Sequence, residues 1–418
     1  MGKSADMLGD LLGRSMGLEP EWEVASSEFL EVEGGRGELH VRIEHVRGRA
    51  VECPGCGRRC GACDTREREW RHLDIWQFKT ITRCAVPRCD CPEHGVRTVG
   101  VPWEGDHGAL TSLFEAQVLA MAMGGMPVSR MAATPGCTDT RLWRLIAAAA
   151  ERAGGSPGLS GVTAVGVDET SCGKGHDYVT SLVGAGGRRV VLCTHGRDGA
   201  TVGRLAEDLE AHGGDAGRVA AVTCDMSPAF ARGVAEGLPN ARRVIDKFHV
   251  VQLLARAIDK VRNAGMRSSK EKGALLRGTK CVWLKSEGSL TDGRLARKRG
   301  LSREHPKTAR ACQTREAPQS AYGCPTRGEA EAELGRLTSW MMHPDVPETR
   351  TVARTLRKDM DGIPDYFDLR MTNAALEGLN SIIQGIKAAA RGFSNPDCFI
   401  ARIYLRLGKL DLPLACYA

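Results

Sequence analysis

Apolar and polar positions follow different rhythms along this chain, and each change of rhythm marks a region. Residues 1–50 open amphipathically and then carry a strand-like stretch, ELHVRIEHV. Residues 107–153 place apolar side chains at every third or fourth position, the spacing of one helix face. LTSLFEAQVLAMAM runs to Gly124-Gly125, PVSRMAAT follows, Pro135-Gly136 turns the chain, and TDTRLWRLIAAAAERA resumes. Thr138 or Asp139 is suited to cap that last helix.

Residues 161–246 change to short β-rich runs, GVTAVGVD, YVTSLVG and RRVVLCT, the last two separated by the turn AGG. A helical stretch, ATVGRLAEDLEAH, then leads into the strand VAAVTCD, and a second, PAFARGVAEGL, leads into ARRVID. Three meandering strands followed by two helix–strand units predict an α/β sheet in ribonuclease H-like order. Periodicity alone leaves other α/β sheets open. From residue 247 onward the pattern is helical again: FHVVQLLARAIDKVRNAG, EAELGRLTSWMM, TNAALEGLNSIIQGIK and NPDCFIARIYLRLG.

A chain of 418 residues exceeds one ordinary core, so several domains are expected. Hydrophobic content of 42% with 26% charged residues is that of a globular protein. No stretch reaches the ~20 apolar residues of a membrane span. The first residues lack the apolar core of a secretory signal, and a cytoplasmic location is the expectation, with no membrane partner.

Charge adds a partner class. Between Lys260 and Arg315 there are 16 Lys/Arg against 4 Asp/Glu, while the whole chain is only +7. Positive charge gathered in one block points to nucleic acid. Arg294, Arg297, Lys298 and Arg299 are its densest part, and they are the expected backbone contacts. The helix–turn–helix pattern of residues 105–155, with Arg141 and Arg144 near the start of the second helix, matches a DNA-reading motif as well as it matches an ordinary helical hairpin.

Seven of 16 cysteines (Cys53, Cys56, Cys60, Cys63, Cys84, Cys89 and Cys91) fall within residues 53–91. Two cysteine knuckles flanking the strand-like HLDIWQFKTITR describe a ribbon in which tetrahedral Zn²⁺ replaces a core that so short a segment cannot build. Cys53 and Cys56 form one half. Cys84 with Cys89 is the first expectation for the other, with Cys91 in place of Cys89, or Cys60 with Cys63, as alternatives.

Three carboxylates carry the candidate chemistry. Asp168 ends GVTAVGVD and Asp225 ends VAAVTCD, so both are expected at a sheet rim. Glu377 begins a helical stripe of Glu377, Asn380, Gln384, Lys387 and Arg391, beside an apolar face of Leu376, Leu379, Ile383 and Ile386. The 152 positions between Asp225 and Glu377 are too many for a loop and predict an inserted helical subdomain, about 250–365. Two strand-end aspartates and a helix-borne glutamate suit a pair of Mg²⁺ or Mn²⁺ ions acting on a phosphodiester. Lys387 and Arg391 suit its backbone.

These motifs resemble one family, the bacterial insertion-sequence DDE transposases of the ISL-three (ISL3) group. The resemblance rests on CPGC, RHLDIW, GVDETSCGKGHDYVT, CDMSPAFARGV, VIDKFHVVQLL, ARTLRKDMDGI and TNAALEGLNSIIQGIKAAARGF, and spans about Cys53 to Leu407. It implies a zinc ribbon (51–104) after an N-terminal segment (1–50), a helix-turn-helix (105–155), and a ribonuclease H-like catalytic domain (160–418) with a basic helical insertion. It places Asp168, Asp225 and Glu377 on the DDE positions, and His249 on a characteristic position without an assigned role. The implied activity is binding of inverted-repeat ends, cleavage there, and transfer of the 3′-OH ends to target DNA, by a homodimer or larger assembly on DNA. The rivals are a non-catalytic DNA-binding regulator and a nuclease. HPKTARACQTREAPQSAYG departs from the family pattern, with Thr, Cys and Gln where an amphipathic helix has apolar residues.

Overall fold

The computed structural model describes residues 2–33, 35–133, 137–154, 158–173, 175, 177–186, 189–245, 247–268, 270–315, 321–343, 346–369, 374–410 and 412. The turn expected at Pro135-Gly136 lies outside them. The chain divides into two compact units, residues 1–154 with 404–418, and residues 155–403.

The first unit begins with α1 (Gly2–Ser15), β1 (Trp22–Leu30) and β2 (Glu38–His45). Short strands β3 (Val51–Glu52) and β4 (Arg59–Cys60) precede β5 (Ala62–Arg71), β6 (Lys79–Cys91) and β7 (Gly95–Thr98). One sheet runs β1-β2-β6-β5, with β7 also on β6. β2 lies parallel to β6, Glu38 opposite Lys79, so the N-terminal segment and the cysteine region share a sheet. Alternation explains its core: Leu39, Val41 and Ile43 point inward beneath three indoles. Trp22 and Trp70 each meet Trp103 edge-to-face, at 4.9 and 5.7 Å between ring centres.

Three helices follow: α2 (Ser112–Met123), α3 (Val128–Ala133) and α4 (Asp139–Gly154). Thr111 caps α2, its Oγ1 accepting from the Phe114 N–H at 3.3 Å. The Thr138 carbonyl accepts the first bonds of α4 from Arg141 and Leu142, both 3.1 Å. Leu142, Leu145, Ile146, Ala149 and Ala150 form the buried stripe of α4.

In the second unit β8 (Ala164–Ser171), β9 (Tyr178–Gly184) and β10 (Arg189–His195) form the expected antiparallel meander. Then come α5 (Gly199–Ala211), β11 (Ala221–Cys224), α6 (Pro228–Gly237) and β12 (Arg242–Ile245). The sheet order is β10-β9-β8-β11-β12, with β11 parallel to both β8 and β12. Val165, Val167, Leu182 and Val222 pack against Val202, Leu205 and Leu209 of α5 and Phe230 and Val234 of α6. The two helices approach closely at Gly233, where a Cβ would stand 2.5 Å from the Gly199 carbonyl oxygen.

The long gap before Glu377 is filled by helices, as expected: α7 (Lys247–Ser268), α8 (Lys270–Leu275), α9 (Lys280–Leu284), α10 (Asp292–Glu304) and α11 (Pro306–Gln313). After these come α12 (Arg327–Met342), α13 (Pro347–Lys358), α14 (Asp365–Leu369), α15 (Ala374–Ala389) and α16 (Pro396–Leu407). α7 is the spine. Leu254 and Ala257 pack with α12 and α13 through Leu334, Leu337, Val352 and Leu356, and Ile258 and Val261 pack with Trp283, Ala311 and Cys312. The segment that departs from the family pattern still supplies α11, which buries Thr308, Ala311 and Cys312; residues 316–320 of it lie outside the described residues. Cys312 adds a hydrogen bond to its apolar packing, its Sγ donating to the Trp283 carbonyl at 3.2 Å. Arg242 and Arg327 each bind both Asp365 and Asp368, at 2.6–2.7 Å, tying α12 and α14 to β12.

His72 gives the first unit a pH response. It is 4% exposed, with Nδ1 3.0 Å from the Thr111 hydroxyl, and burial, helped by the charge of Arg71, pulls its imidazole from 6.5 to about 4. Between those values the unfolded chain binds more protons than the folded one. Stability present above pH 6.5 is therefore lost as pH falls toward 4, by on the order of 3 kcal/mol. Melting curves of the full chain over this range should show that loss, and His72→Gln should reduce it.

Candidate functional site

Two sets of side chains are candidates for metal chemistry, and they differ in donor type. In the first unit the ligand atoms of Cys53, Cys56, Cys91 and His94 all lie within 4.8 Å of one another. Cys56 Sγ stands 3.7 Å from Cys91 Sγ, and His94 Nδ1 stands 3.7 Å from Cys91 Sγ and 3.9 Å from Cys53 Sγ. The Cys91 thiol is drawn down to about 6, chiefly by its hydrogen bond to His94, which favours the thiolate that a metal needs. Both halves are the same knuckle, CPGCG and CPEHG, each turning through a left-handed glycine, Gly57 at φ +70° and Gly95 at φ +63°. Gly55 is also required: a Cβ there would come within 2.9 Å of the His94 ring.

This corrects the expected ligand set. Cys53 and Cys56 are brought together, but Cys91 and His94 stand with them in place of Cys84 and Cys89. Along an extended strand of about 3.3 Å per residue, Cys84 lies roughly 23 Å before Cys91, too far to share a tetrahedral site. Its side chain is instead fully buried in the tryptophan core, and burial pushes the thiol up to about 12. Cys89 packs with Val51, Cys53, Cys91 and Val99 in a small cluster beneath the knuckles, outside the set of four. Cys60 and Cys63 are outside it too. The missed histidine had a signal, the repeat of C-P-x-[C/H]-G, which counting cysteines overlooks.

In the second unit β8 and β11 run in parallel and carry Asp168 and Asp225 toward the same rim. Asp168 Oδ1 accepts from the Glu169 N–H at 2.9 Å and Oδ2 accepts from the Asn380 side chain, and Asp225 Oδ1 accepts from the Ser227 N–H at 2.8 Å. Burial raises the Asp168 carboxyl above its ordinary value. The Glu169 N–H, the charge of His249 and Asn380 pull it back, and Asp225 pushes it up again. His249 lies on the first turn of α7.

Glu377 stands exposed in the first turn of α15, one turn before Asn380. The polar stripe of α15 meets β8 at two points, Asn380 on Asp168 and Lys387 Nζ on Ser171 Oγ at 2.6 Å. Ile383 and Ile386 are buried beside it, as the periodicity predicts. Arg391 leaves the stripe: α15 ends at Ala389, and Arg391 adopts φ +59° in the turn after it.

Glu169 was not anticipated. Its Oε2 is buried without a hydrogen-bond partner, and burial, then Asp225 and Asp168, push its carboxyl up to about 7. Its position directly after Asp168 was the available signal.

Among the expected DNA contacts, Arg141 is half-buried and Arg144 exposed on α4, and Arg294, Arg297 and Arg299 are exposed on α10. Lys298 is a correction. It shares a helix face with buried Leu301, is itself buried, and pairs with Glu287 at 2.8 Å, so its charge is already satisfied.

Residues 165–403, more than half of the chain, match the sequence model of the ISL3 group, described as transposase. The chain belongs to the ISL3 transposase family. Residues 49–94 of the transposase match the zinc finger of the IS204/IS1001/IS1096/IS1165 transposases, a span that contains all four clustered ligands. The transposase for insertion sequence element IS1557 of Mycobacterium tuberculosis is 26% identical over 425 residues, covering 94% of each chain. That for IS1001 of Bordetella parapertussis is 24% identical over 403 residues, covering 95% of this chain and 98% of its own. The zinc ribbon and the insertion-sequence character expected from the motifs are therefore in place. Among the described residues no helix is long and apolar enough to cross a membrane.

The whole 418-residue chain should carry one zinc ion by elemental analysis. Cys91→Ala and His94→Ala should lose it, whereas Cys84→Ala should keep it; zinc retained by His94→Ala but lost from Cys84→Ala would reverse the ligand assignment.

Proposed function

We propose that this transposase binds the inverted-repeat ends of its element, hydrolyses the phosphodiester at each end, and transfers the 3′-OH ends to target DNA, with Asp168, Asp225 and Glu377 as its catalytic carboxylates. The observation that carries this reading is the meeting of Asp168 and Asp225 at one rim, with the Glu377 helix turned onto Asp168 through Asn380. The strand order β10-β9-β8-β11-β12, three antiparallel strands followed by two parallel ones, supports a ribonuclease H-like core.

All three side chains offer hard oxygen donors, which suit Mg²⁺ or Mn²⁺. Two such ions would activate the attacking oxygen and stabilise the leaving one. The chain's own residues set the stage. The Glu169 N–H and Asn380 fix the Asp168 carboxylate, whose oxygens keep further lone pairs for ligation, and the Ser227 N–H fixes Asp225. Lys387, on the same stripe as Glu377, brings positive charge to where a phosphate backbone would pass. Arg391, in the turn after the helix, adds a further exposed cation.

α2, α3 and α4 serve as a helix-turn-helix, with Arg141 and Arg144 reading bases, and the zinc ribbon works with it on the element ends. Arg294, Arg297 and Arg299 of α10 hold backbone. The active form on DNA is a homodimer or larger.

Mg²⁺ and end DNA incubated with the protein separate the readings: joined products mean transposition, cutting without joining a nuclease, and no cutting a regulator. Asp168→Ala, Asp225→Ala and Glu377→Ala should each abolish cleavage with end binding near wild type, and full cleavage by Asp168→Ala would sink the assignment. Arg141→Ala or Arg144→Ala should lower discrimination between end and random DNA by about 1–3 kcal/mol per lost base contact, read as competition binding.

A further inference from the structure

We infer that the exposed face of α7 is a rail for duplex DNA, leading away from the carboxylate site, and that Arg256, Lys260 and Arg267 grip the phosphodiester backbone there. The inference rests on the reading of this protein as DNA-acting and adds a surface that reading does not name. At 100° per residue, His249, Arg256, Lys260, Asn263 and Arg267 fall within an arc of roughly 60°. From first to last they span about 27 Å at 1.5 Å per residue. The opposite face is committed to the core through Val250, Leu254, Ala257, Ile258 and Val261. The rail begins near the chemistry, since α7 starts two residues after β12, the strand paired with β11, whose end carries Asp225.

Three features separate this face from an ordinary solvated one. Solvated helix faces mix their signs, whereas Asp259 is the sole acid of α7 and is engaged by Arg262 at 2.7 Å and Lys280 at 3.5 Å. Arg256, Lys260 and Arg267 are exposed, with their cations turned to solvent. Finally, Arg256, Lys260, Asn263 and Arg267 line a groove of about 370 Å³, together with Asp259, whose charge Arg262 and Lys280 already meet. Glu348 also lines it, from the first turn of α13, where the positive helix terminus offsets its charge. A duplex presents one negative charge about every 1.7 Å of its axis, so a face of this length passes several phosphates.

The test is binding alone, by fluorescence anisotropy with a duplex carrying the element end and with a random-sequence duplex, across a series of KCl concentrations. For Arg256→Ala/Lys260→Ala/Arg267→Ala the slope of log K against log salt should fall by about 2 to 3, near 0.9 for each lost phosphate contact. The loss should be equal on both duplexes, because phosphate contacts carry no sequence. The charge-preserving variant Arg256→Lys/Lys260→Arg/Arg267→Lys should keep the wild-type slope, and matching circular dichroism spectra exclude misfolding. A triple-alanine slope within about one of wild type, or a loss confined to end DNA, overturns the rail while leaving the functional reading intact. Failure of the wild-type protein to bind either duplex overturns both.

Discussion

The parallel pairing of β8 with β11 is the constraint on which the second unit depends. β8 has an antiparallel neighbour on one side and a parallel one on the other, so the strand sense changes once, at its edge. Only a parallel pair delivers two strand ends to the same rim, and this pair brings together aspartates 57 positions apart. Had β11 run the other way, the rigid sheet would hold the two acids at opposite edges. α15 then needs only to lay its polar side on β8, and α7 only to start from β12, the next parallel strand. The strand order also reverses there, with β9 and β10 on one side of β8 and β11 and β12 on the other, and in open α/β sheets ligands gather at strand ends beside such a switch.

The two candidate metal centres are kept apart chemically as well as along the chain. Three thiolates and an imidazole favour zinc, while carboxylate oxygens favour Mg²⁺ or Mn²⁺. The thiolates hold Mg²⁺ or Mn²⁺ poorly, whereas at the carboxylates geometry and metal availability decide the ion. Their structural demands also differ: the ribbon closes around its ligands in two tight turns, whereas the carboxylates project from elements that the hydrophobic core already holds.

What was legible in the sequence follows from how local each signal is. The alternation from β8 to β12 is dictated by short apolar runs, and it gave every strand and both helices in order. Asp168 and Asp225 were visible because apolar runs stop at them. The missed features are those decided by distant partners. Nothing local says that β6 extends for 13 residues, which is what separates Cys84 from Cys91. Lys298 looks like its exposed neighbours until Glu287 meets it, and Arg391 continues the helical stripe on paper although the turn at Gly392 ends it. Glu169 was hidden by the same proximity to Asp168 that makes it notable. The parallel pairing of β2 with β6 has no local signature at all.

That pairing fixes an order of events during synthesis. β6 pairs with β2, β5 and β7, so until residue 91 has left the ribosome β1 and β2 are a two-stranded hairpin with only α1 against it, and a two-stranded sheet is marginal in water. Val41 and Ile43 lack most of their cover for that interval, since Trp70, Cys84, Val86 and Trp103 of their cluster come later, and the edge of their strand has no partner. The residues that finish β6 also contribute Cys91, and His94 follows three residues later. Capture of zinc and closure of the sheet therefore fall together, and a nascent chain starved of the ion would linger with its stickiest strand on display.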